Sequence, residues 1–168
     1  MEKTISLNRE LQWIEIALCG AILITLGSFV RIPLYPVPFT LQTLAIFLLG
    51  LTQSPRQAFA SAVCYLLCAS MGLPVFAGKV HSLWILGKCG GYLVAFPIAA
   101  FLIAWMRQKY SPLVALVSAQ VVIFAFGWIW LTFYFGVEVA FMKGVLIFLP
   151  SEGLKTMLAL ATVRWRIR

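Results

Sequence analysis

The chain has 168 residues, 62% of them hydrophobic and 11% charged, with a mean hydropathy of +0.99. That composition supplies too little polar surface to cover a water-soluble domain of this size, so it describes a protein immersed in a bilayer. Lys and Arg number 13 against 5 Asp and Glu, a net charge of +8, but the basic residues are parcelled out between apolar runs rather than gathered on one face, which excludes a nucleic-acid surface and fits membrane topology.

A helix needs about 20 apolar residues to cross about 30 Å of hydrocarbon. The first such run, Leu11 to Val30, follows a short polar N-terminus carrying Glu2, Lys3, Arg9 and Glu10. It exceeds the ~7–15 residue apolar core of a signal peptide, so a retained span is predicted. The stretch "RIPLYPVPFTLQTL", residues 31–44, then places three prolines in succession. Proline fixes φ, removes a hydrogen-bond donor and restricts the residue before it, so Pro33, Pro36 and Pro38 stop the first span and hold an extended connection. A second helix is predicted from Thr40 to Thr52, with Gln42 in its first turn.

Ser54-Pro55-Arg56-Gln57 has the pattern of a capping box with proline at the first helical position, opening a third helix that Gly72-Leu73-Pro74 stops near Met71. A long connection, Leu73 to Lys88, precedes a fourth span, Cys89 to Met106, with Pro97 inside it. Ser111-Pro112 repeats the cap-plus-proline start for a fifth, reaching about Phe135. Gly136 to Pro150 reads as another connection, with helical apolar spacing of its own, and Ser151 begins a sixth span that ends in Arg164, Arg166 and Arg168. The expected architecture is all-α: one membrane-embedded domain over residues 1–168, with six transmembrane helices and both termini on one side.

With the termini cytoplasmic, the inner face holds eight basic residues (Lys3, Arg9, Arg56, Arg107, Lys109, Arg164, Arg166, Arg168) and the outer side five (Arg31, Lys79, Lys88, Lys143, Lys155). The positive-inside rule favours this orientation, in a cytoplasmic (inner) membrane. The irregular segments 31–39, 73–88 and 136–150 then share the outer side. Their prolines and apolar residues (Leu34, Val37, Phe39, Phe76, Leu83, Trp84, Ile85) predict packing rather than solvation, because irregular backbone at membrane depth is tolerated where protein or a cavity satisfies its polar groups.

Catalytic constellations are missing. The chain has no Asp, one His (His81), and no HExxH, GxSxG or Walker A pattern; Gly72 to Lys79 has the wrong spacing for the last and is followed by Val80. His81 reads as incidental. Cys19, Cys64 and Cys68 read as core packing, not as a disulfide or metal site. No catalytic residue, metal or cofactor is expected.

What remains is a polar set near the outer face. Glu152 and Lys155 lie three apart at the start of the last helix, on one face. Glu152 suits the positive end of the helix dipole, whereas Lys155, deeper in, has no such support. The pair reads either as a helix cap with a salt bridge or, as an ionisable pair inside a span does by default, as a substrate contact, and Gln42 lies on the same side. Tyr92, after Gly90-Gly91, adds a hydroxyl on an aromatic body near that level, and reads equally as a site group or as an interfacial belt residue.

Four segments, "IPLYPVPFTLQTL", "GLPVFAG", "GGYLVAFPIAAFL" and "FLPSEGLK", in this order and at these distances, resemble the BioY family, the biotin-binding S components of energy-coupling factor (ECF) transporters. The resemblance covers nearly the whole chain. It implies the six-helix S-component fold, capture of biotin from outside, and service by a transmembrane scaffold subunit and ATPase subunits that alone use ATP. Two segments depart from the family: Ser151-Glu152 stands for its usual Gly-Asp, and Gly87-Lys88-Cys89 for its usual Gly-Pro-Thr. Biotin has a ureido ring with two N–H donors and one carbonyl, an apolar thiophane ring and a valerate carboxylate. Glu152 and Gln42 can accept from the ureido group, Gln42, Tyr92 or Lys155 can donate, Phe39, Phe76 and Trp84 can form walls, and Lys79 or Lys88 can meet the carboxylate. Loops 31–39 and 73–88 are then expected to close over the ligand. The resemblance further implies scaffold docking through small residues of the first helix, matched by Ala17 and Ala21. Two other readings stay open: a solitary transporter, alone or as a homo-oligomer, and a membrane-embedded enzyme with Glu152 and Lys155 as acid and base.

Overall fold

The computed structural model describes residues 2–76 and 82–166, with side chains over 11–76 and 82–163. Lys79 and His81 lie outside the described residues. Seven α-helices follow one another: α1 Glu2–Phe29, α2 Gln42–Thr52, α3 Pro55–Ser70, α4 Gly90–Met106, α5 Pro112–Phe135, α6 Val137–Gly144 and α7 Leu149–Arg166. Six of them form the bundle. The exception is α6, whose 8 residues rise only about 12 Å and so are too few to cross a bilayer. It lies within the stretch read from the sequence as a connection. Helix α1, 28 residues long, begins well before Leu11, since no proline or glycine in residues 2–10 interrupts it. Polarity there locates the edge of the apolar run and not the end of the helix.

Three segments are long and apolar enough to cross a membrane, Leu11–Phe29, Pro112–Phe135 and Val137–Val163, and α2 and α4 are shorter apolar helices. Large apolar side chains point outward all round the bundle: Leu18, Ile22 and Leu26 on α1, Val121 and Phe133 on α5, Met157 on α7. Such a girdle is stable only against lipid. Cys19 belongs to it and is exposed, not in the core as expected, because it falls beside Leu18 on the outward arc of α1; Cys64 and Cys68 are half-buried against the core.

Local signals account for two helix starts. Gln57 Oε1 accepts from the Ser54 backbone N–H at 3.1 Å and from its hydroxyl at 2.8 Å, and the Ser111 hydroxyl accepts from Val114 N–H at 3.4 Å. Gly136, at φ +80°, ends α5 and turns the chain into α6. Between α1 and α2 the chain does not simply extend. Arg31–Ile32 (β1) and Phe39–Thr40 (β2) pair antiparallel, with Arg31 opposite Thr40 and Ile32 opposite Phe39, so the proline-rich residues form the tip of a hairpin.

Helices α4 and α5 meet backbone to backbone. A Cβ on Gly91 would strike Trp130 and the Phe126 carbonyl, and one on Gly127 would strike the Tyr92 ring. Gly20 of α1 likewise lies against Ser61 of α3. Fully buried Ile24, Ile46, Phe47, Tyr65 and Ile103 fill the middle of the bundle.

The irregular segments gather at one end. The Trp130 indole N–H donates to Gly87 O at 3.0 Å and the Tyr134 hydroxyl to Leu86 O at 2.6 Å, fastening residues 84–88 to α5. Ser28 Oγ, at the end of α1, donates to Val75 O at 2.9 Å and so fastens the start of the 73–88 connection to that helix.

Candidate functional site

Helices α2, α4 and α7 all begin at this end of the bundle, so their unpaired N–H groups and positive dipole ends converge on one region. Glu152 and Lys155 lie there in the first two turns of α7, only 4% and 2% exposed. Lys155 Nζ donates to Glu152 Oε1 at 2.6 Å and to the Thr43 hydroxyl of α2 at 2.7 Å, and that hydroxyl donates on to the same Oε1 at 2.9 Å. The result is a closed triangle across two helices. Its ammonium also sits 4.4 Å from the centre of the Phe39 ring. Among the described residues nothing bonds to the second oxygen, Oε2, which is buried.

Gln42, one residue before Thr43, is also buried. Its Nε2 donates to the Tyr65 hydroxyl at 2.5 Å and its Oε1 accepts from the Thr40 hydroxyl at 3.1 Å, which fixes the amide plane. On α5, Gln120 Nε2 donates to the Thr156 hydroxyl, which itself donates to Glu152 O at 2.8 Å.

These groups line a cavity of about 80 Å³ whose remaining wall is apolar: Val37, Leu93, Phe96, Ile123, Phe124 and Phe148. Glu152, Lys155, Gln42, Thr43, Gln120 and Tyr92 all contribute to it. Pro38, Thr40, Gln42, Cys89 and Leu93 also line a second, larger chamber of about 360 Å³, so the two adjoin. The outer chamber is lined by Arg31, Phe76, Trp84 and Lys88 among others.

The structure therefore brings Gln42, Tyr92, Glu152 and Lys155 together at the inner cavity, and Phe76, Trp84 and Lys88 at the outer. Phe39 lines neither; it lies under the Lys155 ammonium as a platform, because β2 turns it towards α7. The Tyr92 hydroxyl does not serve as a donor to the cavity, since it donates its proton to Gly144 O at 2.8 Å, and the ring forms wall. Ala21 is buried at 5% exposure, at the floor of a shallow groove between α1 and the 73–75 segment, while Ala17 is half-buried, so the surface α1 turns outward consists mainly of larger residues. Thr43, Gln120 and Arg31, which line the two chambers, and Tyr65, which holds Gln42, belong to the candidate site and were passed over by sequence reasoning. Gln120 left a signal, as a carboxamide in the middle of a span, whereas Thr43 and Tyr65 become visible only through their partners.

Removing the Tyr92 hydroxyl isolates its contribution. Tyr92→Phe leaves the buried Gly144 carbonyl without that bond at a cost of about 1–3 kcal/mol, so thermal unfolding in detergent should come at a lower temperature while the cavity keeps its shape.

A bundle with a lipid-facing girdle and a polar-tipped cavity at one end defines an α-helical membrane protein with a candidate site for a small solute. The chain belongs to the BioY family, whose profile matches residues 1–168. It is 38% identical over 134 residues to the probable biotin transporter BioY of Pyrococcus horikoshii, covering 79% of this chain and 82% of that one. It is 31% identical to biotin transporter BioY2 of Lactococcus lactis subsp. cremoris, over 94% of this chain and 93% of that one. Its fold matches the crystal structure of the S-component for biotin from an ECF-type ABC transporter with a TM-score of 0.82, at 25% identity, over 96% of this chain and 94% of that one.

Proposed function

We infer that this chain captures biotin at the outer face of the cytoplasmic membrane, as the substrate-binding subunit of an ECF-type transporter. The observation that carries the reading is the Glu152–Lys155–Thr43 triangle with Oε2 of Glu152 left open in an otherwise apolar cavity. A ureido ring complements it: an N–H reaches Oε2 as a charge-assisted bond, and the second amide proton of Gln42 or the Lys155 ammonium meets the ureido carbonyl. The thiophane ring then lies against Phe96, Ile123, Phe124 and Phe148, and the tail runs through the shared wall at Leu93 into the outer chamber. Relatives named as biotin transporters and the matched biotin S-component support the same ligand.

Each charge-assisted bond contributes about 1.5–3 kcal/mol, and burial of the thiophane ring against the apolar wall adds to it. In this reading the termini are cytoplasmic, the transmembrane scaffold and ATPase subunits supply the work, and the chain itself turns nothing over. Calorimetry of the purified protein with biotin tests the ligand, and the expected result is saturable one-to-one binding with no product released. Uptake measured in cells with and without an ECF scaffold and its ATPases tests the partners; full uptake without them would make the chain a solitary transporter.

A further inference from the structure

The inner cavity matches the polar head of such a ligand and leaves its acid end without a counter-charge. Two cations line the outer chamber, Arg31 on β1 and Lys88 just before α4. Among the described residues neither has a carboxylate partner, the ion pair there being Lys155 with Glu152. Lys88 is instead parked in an aromatic corner. Its Nζ donates to the Tyr35 hydroxyl at 2.9 Å, lies 4.3 Å from the Tyr35 ring centre and 5.3 Å from that of Phe135, and the two rings meet edge to face at 5.9 Å. One ammonium thus joins the tip of the hairpin, the start of α4 and the end of α5.

These contacts with neutral partners are weaker than a hydrogen bond from an ammonium to a carboxylate. A lysine on a four-carbon stem can leave them for an anion in the chamber it already lines. Arg31 stands at the base of the same hairpin, opposite Thr40, whose hydroxyl holds the Gln42 amide, so the second cation is anchored to the wall between the chambers.

The geometry points to a two-cation acceptor for the ligand's carboxylate, made by Arg31 and Lys88, which makes the site selective for the free acid over its amides and esters. This rests on the biotin reading and adds to it the determinant of the tail. On binding, Lys88 passes from Tyr35 and Phe135 to the carboxylate, and no bond other than hydrogen bonds is made or broken.

Biotin and biotinamide, titrated calorimetrically into the purified full chain and into Lys88→Met and Arg31→Gln, test it. The native chain is expected to prefer biotin by about tenfold or more, the preference to shrink in each variant and vanish in the double variant, and Lys88→Arg to retain it. Raising the salt concentration should weaken biotin and leave biotinamide nearly unaffected in the native chain, a measurement that needs no variant. Equal affinity for the two ligands in the native chain, or a preference that survives the double variant, overturns the acceptor while leaving biotin capture in place. Failure of the native chain to bind either ligand overturns both.

Discussion

Lys155→Met is expected to lower the unfolding temperature and to weaken biotin binding by about tenfold to a hundredfold. The ammonium is 2% exposed and bonded to both Glu152 and Thr43, so its removal strands a buried carboxylate, which costs the fold about 3–5 kcal/mol, and takes from the ligand one charge-assisted bond of about 1.5–3 kcal/mol. Methionine nearly matches the volume of the lysine stem, so the change acts on charge more than on packing. The accompanying drop in thermal stability separates two roles. In Lys155→Met combined with Glu152→Gln no charge remains buried, and the unfolding temperature should recover much of its native value while biotin affinity does not. Recovery of both would assign the pair to the fold alone; recovery of neither would leave packing as the cause. Calorimetry and thermal unfolding on the same three proteins read the outcome.

The second large effect is expected at Gly91. Its added Cβ would meet the Phe126 carbonyl, which is backbone and cannot rotate away, as well as Trp130. Gly91→Leu must therefore push α4 from α5, at a cost of at least about 1–3 kcal/mol. The displacement carries Lys88, Cys89 and Tyr92 with it and loosens the Trp130 bond to Gly87 O, so biotin binding should fail together with the unfolding temperature. Gly153→Ala is the control. It lies on α7 beside Glu152, but nothing stands within 4 Å of its added Cβ, so removing a helical glycine there should raise stability by about 0.5–1 kcal/mol and leave binding intact.

The features legible in the sequence are those set by neighbours along the chain. Ser54 with Gln57 and Ser111 with Pro112 announce their helices because caps act over three or four residues. Glu152 and Lys155 declare themselves because charge inside an apolar run is costly wherever it points. Thr43 is different: a threonine in a helix is unremarkable until Lys155, 112 positions later, lies against it. The direction of the Tyr92 hydroxyl depends on Gly144, 52 positions on, and the folding of the proline segment into a hairpin depends on Arg31 finding Thr40. Helix α6 was hidden for another reason: its periodicity is present, but the eight residues between Gly136 and Val145 are too few to count as a span. Sequence reasoning thus reached both chambers from the residues that had to be polar or bulky, and missed the small and mid-helix groups that join them.

The bond from Ser28 to Val75 has a mechanical meaning. Val75 precedes Phe76, which lines the larger hollow, while Ser28 sits on the inward side of the same rod that shows Leu18, Ile22 and Leu26 to the lipid. That bond pins the near edge of the larger hollow to the outermost rod of the bundle. The wall around the ligand and the face turned to the lipid are thus two sides of one helix.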